Sequence, residues 1–137
     1  MTQPNERTMR RLVEEVINNQ CLAVIDDIIH PDYVYRTPGQ ELHGRQALRE
    51  LLTAYREALP DLHVNIDDLV CTGNKAVLLF TLKGTHENEF MGISATGKQV
   101  NINGMTSSRF ANGQIIEEWE LLDQLTMFQQ LDIVSFS

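Results

Sequence analysis

The chain has 137 residues, a formal net charge of −8 and a hydrophobic content of 42%, which suits one domain with one core. Its lysines and arginines are scattered in an acidic background, which excludes attraction to phosphate backbones and with it nucleic acid as a partner. No apolar run reaches the ~20 residues that cross a bilayer and no signal peptide opens the chain, so a cytoplasmic protein without a membrane partner is expected.

Met9, Leu12, Val13, Val16 and Ile17 recur at helical spacing and predict a first amphipathic helix, from about residue 6 to 19. A second short helix is expected through Leu22 to Ile29, stopped at His30-Pro31. Tyr33 to Thr37 reads as a strand ended by the Pro38-Gly39 turn. A third helix carries Leu48, Leu51, Leu52, Tyr55 and Leu59 on one stripe and closes at Pro60-Asp61.

The period then changes from helical to alternating. Leu62, Val64 and Ile66 mark a half-buried strand, and the adjacent acids Asp67-Asp68 read as a bulge or exposed rim. Thr72-Gly73-Asn74 turns the chain into a strand from Ala76 to His86, with Leu78, Phe80, Leu82 and His86 on one face. After a loop from Glu87 to Gly97, a strand from Gln99 to about Phe110 meets a hairpin at Asn112-Gly113. The last strand holds Trp119 and Asp123, and Leu125, Phe128 and Leu131 mark a closing helical turn. Helices first and a largely antiparallel sheet second predict an α+β fold, a single domain over residues 1–137: a cone-shaped curved sheet wrapped around the N-terminal helices and enclosing a pocket.

Strict alternation along the last strand places Ile115, Glu117, Trp119, Leu121 and Asp123 on one side. If that side lines the pocket, Trp119 and its apolar neighbours desolvate Asp123 and raise its pKa, making it a proton carrier near neutral pH. The competing reading is a solvated acidic edge strand. His86 ends an apolar face and is either a core histidine bonded to backbone or a pocket group. Tyr33 and Tyr35 share a face and are candidate pocket walls, with Phe80 beside them; Arg36 points the other way from both tyrosines.

The histidines His30, His43, His63 and His86 lack metal-ligand spacing, so no metal is expected. Cys21 and Cys71 stand apart, without CxxC spacing, and are expected to be reduced and inert. No nucleophile elbow and no glycine-rich phosphate loop exists, so no cofactor is expected either.

The segments His30-Pro31-Asp32-Tyr33-Val34, Gly44-Arg45-Gln46-Ala47-Leu48, Leu59-Pro60-Asp61-Leu62, Gly84-Thr85-His86, Glu89-Phe90-Met91-Gly92-Ile93, Ala95-Thr96-Gly97-Lys98 and Gly113-Gln114-Ile115-Ile116-Glu117-Glu118-Trp119 together resemble the SnoaL-like polyketide cyclases. The likeness runs from about residue 9 to 132, by the order and spacing of motifs that are each short. It implies the cone-shaped barrel of the nuclear-transport-factor-2-like superfamily, a homodimer packed through the sheet, and intramolecular aldol ring closure without metal or cofactor. The family's catalytic aspartate maps onto Asp123 and a pocket histidine onto His86. The chain departs from the family's pattern at Arg36, where relatives often carry histidine, and at Asn88 and Ser94.

The expected function is therefore a cofactor-independent cyclase or isomerase acting on a small apolar carbonyl compound. Asp123 serves as general acid/base, with His86 or a tyrosine steadying the enolate, and Trp119, Tyr33, Tyr35, Arg36 and Phe80 contact the substrate. The alternatives are a non-catalytic binding protein for a small apolar molecule and, ranked last, an epoxide hydrolase built on Arg36, Tyr33 and Asp123.

Overall fold

A computed structural model describes residues 3–134. The first helix, α1 (Pro4–Arg11), starts on a proline whose missing N–H costs nothing there, with Glu6 in its first turn and Arg10 and Arg11 in its last to offset the helix dipole. It runs on as a π-helical segment, Leu12–Asn18, so the expected single α-helix changes winding halfway. Gln20, at φ 58°, turns the chain out of it. A 3₁₀ turn at Leu22–Val24 leads into α2 (Ile25–Ile28).

Six strands form one sheet: β1 (Ile29–Thr37), β2 (Gln40–His43), β3 (His63–Thr72), β4 (Lys75–Thr85), β5 (Gln99–Ala111) and β6 (Gln114–Leu122), in the order β2-β1-β6-β5-β4-β3. Helix α3 (Gly44–Ala58) separates β2 from β3, and α4 (Gln124–Gln130) follows β6. All neighbours are antiparallel except β1 and β6, which run parallel. The mixed α+β fold with a curved, mostly antiparallel sheet agrees with the sequence. The short strand β2, formed from the residues after the Pro38-Gly39 turn, does not appear in the sequence reading.

The hairpin at Asn112-Gly113 has φ of 53° and 77° at its two residues, the left-handed pair that matches strand twist. The Asp67-Asp68 bulge is present as a register shift between Ile66 and Asp68 in the β3–β4 pairing. A second shift lies between Arg109 and Phe110 in the β5–β6 pairing, where Arg109 faces Glu117 and Phe110 faces Ile115. Ile116 is therefore an extra residue in β6, and it reverses the side on which every later side chain projects.

The concave side of the sheet packs on the helices. Met9, Val13, Val16, Ile25, Ile29, Ile115 and Met127 are fully buried there. Gly104, on the concave side of β5, allows the Phe80 ring to lie against the backbone; a Cβ at that position would sit 2.2 Å from Phe80 Cζ.

Candidate active site

The concave side encloses a cavity of about 80 Å³ whose walls include Leu12, Val13, Leu78, Phe80, Tyr55 and Glu120. A second hollow of about 130 Å³, rimmed by Thr37, Pro38, Gln40 and Gln124, shares Tyr35, Leu51, Tyr55, Glu120 and Leu122 with it. The shared residues form the junction between the two hollows. One end is apolar, and the junction is polar.

Two rungs of hydrogen bonds cross the concave face from β1 through β6 to β5. In the deeper rung Tyr33 donates its hydroxyl to Glu118 Oε1 at 2.7 Å, and Ser108 donates to Glu118 Oε2 at 2.6 Å. In the rung nearer the second hollow Tyr35 donates to Glu120 Oε1 at 2.6 Å, and Thr106 donates to Glu120 Oε2 at 3.0 Å. The rungs exist because the tyrosines, the glutamates and the hydroxyl residues each recur at every second position, so each set shares a face of its strand.

Glu118 is 4% exposed. Burial pushes its carboxyl up to about 7; the hydrogen bonds from Ser108 and Tyr33 pull it down, and the charge on Glu120 raises it further. Glu120 is raised for the same leading reason, burial, against the opposing bonds from Tyr35 and Thr106. Burial also raises the phenols of Tyr33 and Tyr35 above the ordinary range, with the carboxylates they face adding to it, so both remain donors at neutral pH. Tyr55 lines both hollows. Its phenol is raised first by burial and then by the charge of Glu120, and its hydroxyl has no hydrogen-bond partner among the described residues. Phe90 packs on its ring, centroid to centroid 4.9 Å.

The structure relocates several residues expected at the site. Asp123 is exposed and caps α4, with Oδ1 accepting from Thr126 N at 3.1 Å and Oδ2 from Thr126 Oγ1 at 2.6 Å. Those bonds lower its pKa, opposite to the rise expected from desolvation. Trp119 is 52% exposed on the convex side, where the Arg36 guanidinium lies 5.8 Å from its ring centroid. Arg36 also pairs with Glu117 at 2.6 Å and Glu41 at 2.9 Å. Neither Trp119 nor Arg36 reaches the cavity wall; Tyr35 and Phe80 do, and Tyr33 stands just behind it on Glu118. For Arg36 the reason is alternation along β1; for the β6 residues it is the Ile116 bulge: Ile115 does face inward, but beyond it the inward set is Glu118, Glu120 and Leu122.

His86 is buried, with Nδ1 3.1 Å from Thr96 Oγ1 and Nε2 without a hydrogen-bond partner. Asp123 N bonds Asn103 O, and Asn103 pairs with Thr81. His86 thus lies five positions further along the chain, roughly 17 Å at strand spacing, and does not meet Asp123. Arg36, Tyr33 and Asp123 likewise fail to converge. Glu118, Glu120, Tyr55, Thr106 and Ser108 were missed; the matched every-second-residue spacing of Tyr33/Tyr35, Glu118/Glu120 and Thr106/Ser108 was the available signal.

Among the described residues no group of three or more His, Cys, Asp or Glu is placed to hold a metal ion, and no helix is long and apolar enough to cross a membrane.

Known structures share this architecture. TsrD from Streptomyces laurentii is 23% identical, with 98% of this chain and 99% of that one covered at a TM-score of 0.88. AclR from Streptomyces galilaeus, described as a proposed hydroxylase, is 23% identical over 96% and 97% of the two chains, TM-score 0.84. IdmH from Streptomyces antibioticus, described as a proposed polyketide cyclase, is 28% identical over 96% and 99%, TM-score 0.82. No curated protein matches the chain significantly. The family model of the SnoaL-like polyketide cyclases matches residues 7–131, which takes in the helices except for the start of α1, the whole sheet and both carboxylate rungs, and the chain belongs to that family.

Proposed function

We propose that the chain is an enzyme that moves a proton on a small apolar carbonyl compound, polyketide-like in kind, with Glu120 as the acid/base and Tyr55 as the hydrogen-bond donor. The observation that carries this reading is the position of Glu120, a carboxylate with a raised pKa at the junction of an apolar cavity and a more polar hollow. The Tyr55 hydroxyl, without a hydrogen-bond partner among the described residues, stands on the same walls.

Ionised Glu120 takes the proton from the carbon next to a carbonyl. The C–H electron pair becomes the enolate, and the Tyr55 O–H hydrogen-bonds to the oxygen where negative charge develops. In ring closure the enolate carbon bonds to a second carbonyl carbon of the same molecule, and the resulting alkoxide takes the proton back from Glu120. In isomerisation the proton returns to a different carbon. Tyr35 and Thr106 hold the carboxylate in place throughout, and the side chains of the protein suffice for every proton in either outcome.

The test is deuterium exchange into the α-carbon of β-tetralone, an apolar ketone with acidic α-protons, followed by proton NMR in heavy water. The wild-type protein should exchange the α-protons well above buffer, and Tyr55→Phe should slow the exchange by roughly 10-fold, about the worth of one hydrogen bond to a charged oxygen. Saturable binding of the ketone with exchange no faster than buffer would instead support a binding protein of this fold.

The convex face supports a second copy of this chain as a partner. Met105, Trp119 and Leu121 are 47%, 52% and 59% exposed. They stand beside half-buried Val77, Leu79 and Thr81, and Leu79, Met105 and Leu121 line a groove of about 490 Å³ with Asp67, Asn103 and Asp123 at its edge. A patch of that kind on a sheet asks for cover. Light scattering at micromolar concentration should give twice the chain mass of 15.6 kDa, and Trp119→Glu with Leu121→Lys should return the monomer. A monomeric wild-type mass would count against the pairing.

A further inference from the structure

We propose that Glu118 is a positioning residue for Glu120: it shares a single negative charge with Glu120 from two places back on the same face of β6, so its own protonation decides when Glu120 is free to take a proton. This rests on the reading of Glu120 as the acid/base.

The geometry is a paired device. Glu118 and Glu120 are two positions apart on one strand face, about 7 Å at strand spacing. Both glutamates line the cavity, but only Glu120 also lines the second hollow. Both oxygens of Glu118 are engaged, by Tyr33 and Ser108, which leaves it held in one orientation behind the residue that meets the substrate.

Every titratable or polar group facing the pair is neutral or acidic. β1 presents Tyr33 and Tyr35, β5 presents Thr106 and Ser108, α3 presents Tyr55, and the π-helical segment presents Leu12 and Val13. The nearest arginine on β1, Arg36, is turned to the convex face, on Glu117 and Trp119. With no cation facing the pair among the described residues to offset a second charge, two carboxylates at this separation in a buried site ionise one after the other. Hydrogen bonds from hydroxyls stabilise the first charge wherever it sits, since each rung has two donors; they do not remove the repulsion that opposes the second. A merely structural Glu118 would do its work through Tyr33 and Ser108 alone and would leave the behaviour of Glu120 untouched.

The experiment is a carboxyl-resolved NMR titration of protein labelled with ¹³C at the glutamate side-chain carboxyl. The Glu120 signal is identified by its loss in Glu120→Gln. In the wild type that signal should show two inflections. In Glu118→Gln it should show one, with its midpoint about one pH unit below the wild type's upper inflection. Tyr33→Phe removes a bond that favours charged Glu118 and should raise the upper inflection by roughly half a unit. If Glu118→Gln fails to fold, Tyr33→Phe decides the matter. A Glu120 titration with the same shape and midpoint in all three proteins would overturn the proposal. The measurement needs no turnover, so it can fail while Glu120 remains the base, and exchange of β-tetralone can fail while the coupling stands.

Discussion

Glu120→Gln should lower the exchange of β-tetralone α-protons by about 100-fold or more, the usual worth of a positioned general base. The substitution keeps the size of the side chain and leaves its carbonyl oxygen to accept from Tyr35, so the rung survives while the ability to take a proton is lost. Asp123→Asn is the informative control. Asp123 caps α4 through Thr126, and Asn is as good an N-cap as Asp, so both rate and melting temperature should stay close to the wild type. The two residues lie three positions apart, yet opposite outcomes are expected because one side chain enters the cavity and the other bonds the first turn of a helix. If Asp123→Asn lost the activity and Glu120→Gln kept it, the base would be Asp123 and the concave rung a structural feature.

Stability should fall as pH rises from about 5 to about 7.5, and Glu118 sets the window. Its carboxyl is raised from 4.5 to about 7 in the fold, so over that range the folded chain holds a proton that the unfolded chain has lost. Stability therefore decreases through the window and levels off above it. The difference corresponds to roughly 3 kcal/mol for a group buried this completely. Glu120, raised by the same cause, acts in the same direction. Asp61 and Asp123, both lowered by hydrogen bonds from Thr85 and Thr126 respectively, act oppositely: their contribution is lost only as pH falls below the ordinary range for aspartate, outside this window. Glu118→Gln should remove most of the slope and leave the protein more stable than wild type at pH about 8, by up to ~3 kcal/mol, as read by urea unfolding at several pH values. A wild-type stability that is flat or rising across the window would show that Glu118 is not held in its protonated form.

Much of the fold is legible in the residues themselves. The stripe Leu48, Leu51, Leu52, Tyr55 and Leu59 marks α3, the Asn112-Gly113 pair marks the hairpin, and the acids Asp67-Asp68 mark a bulge, because each depends on neighbours within a few positions. Strand β2 escaped because Gln40 to His43 is too short and polar to carry a period, and it forms only because β1 offers a partner. The winding of Leu12–Asn18 escaped as well: π- and α-helical segments place apolar residues on nearly the same face, and one sequence pattern serves both.

The site was half legible. Alternation puts Tyr33, Tyr35 and Phe80 on the inner face, where Tyr35 and Phe80 line the cavity and Tyr33 stands behind it, and turns Arg36 away from the tyrosines and so away from the substrate contact expected of it. The carboxylate was misplaced, and the error has one source. Anchoring the face of β6 on Ile115 is right for Ile115, but a single extra residue at Ile116 exchanges the two faces for everything after it. Hydrophobicity then misleads further, since Trp119 and Leu121 face outward while Glu118 and Glu120 face the interior, the reverse of the usual pattern and a common mark of a functional strand. By itself the sequence determined the elements other than β2 and the winding of Leu12–Asn18, together with the fold class and the family, because those rest on local periodicity and on motif order. Which carboxylate enters the cavity was decided only by the tertiary structure. That choice depends on the bulge and on the parallel pairing of β1 with β6, which brings tyrosines from one end of the chain onto glutamates 85 positions away, and no local pattern encodes a contact of that range.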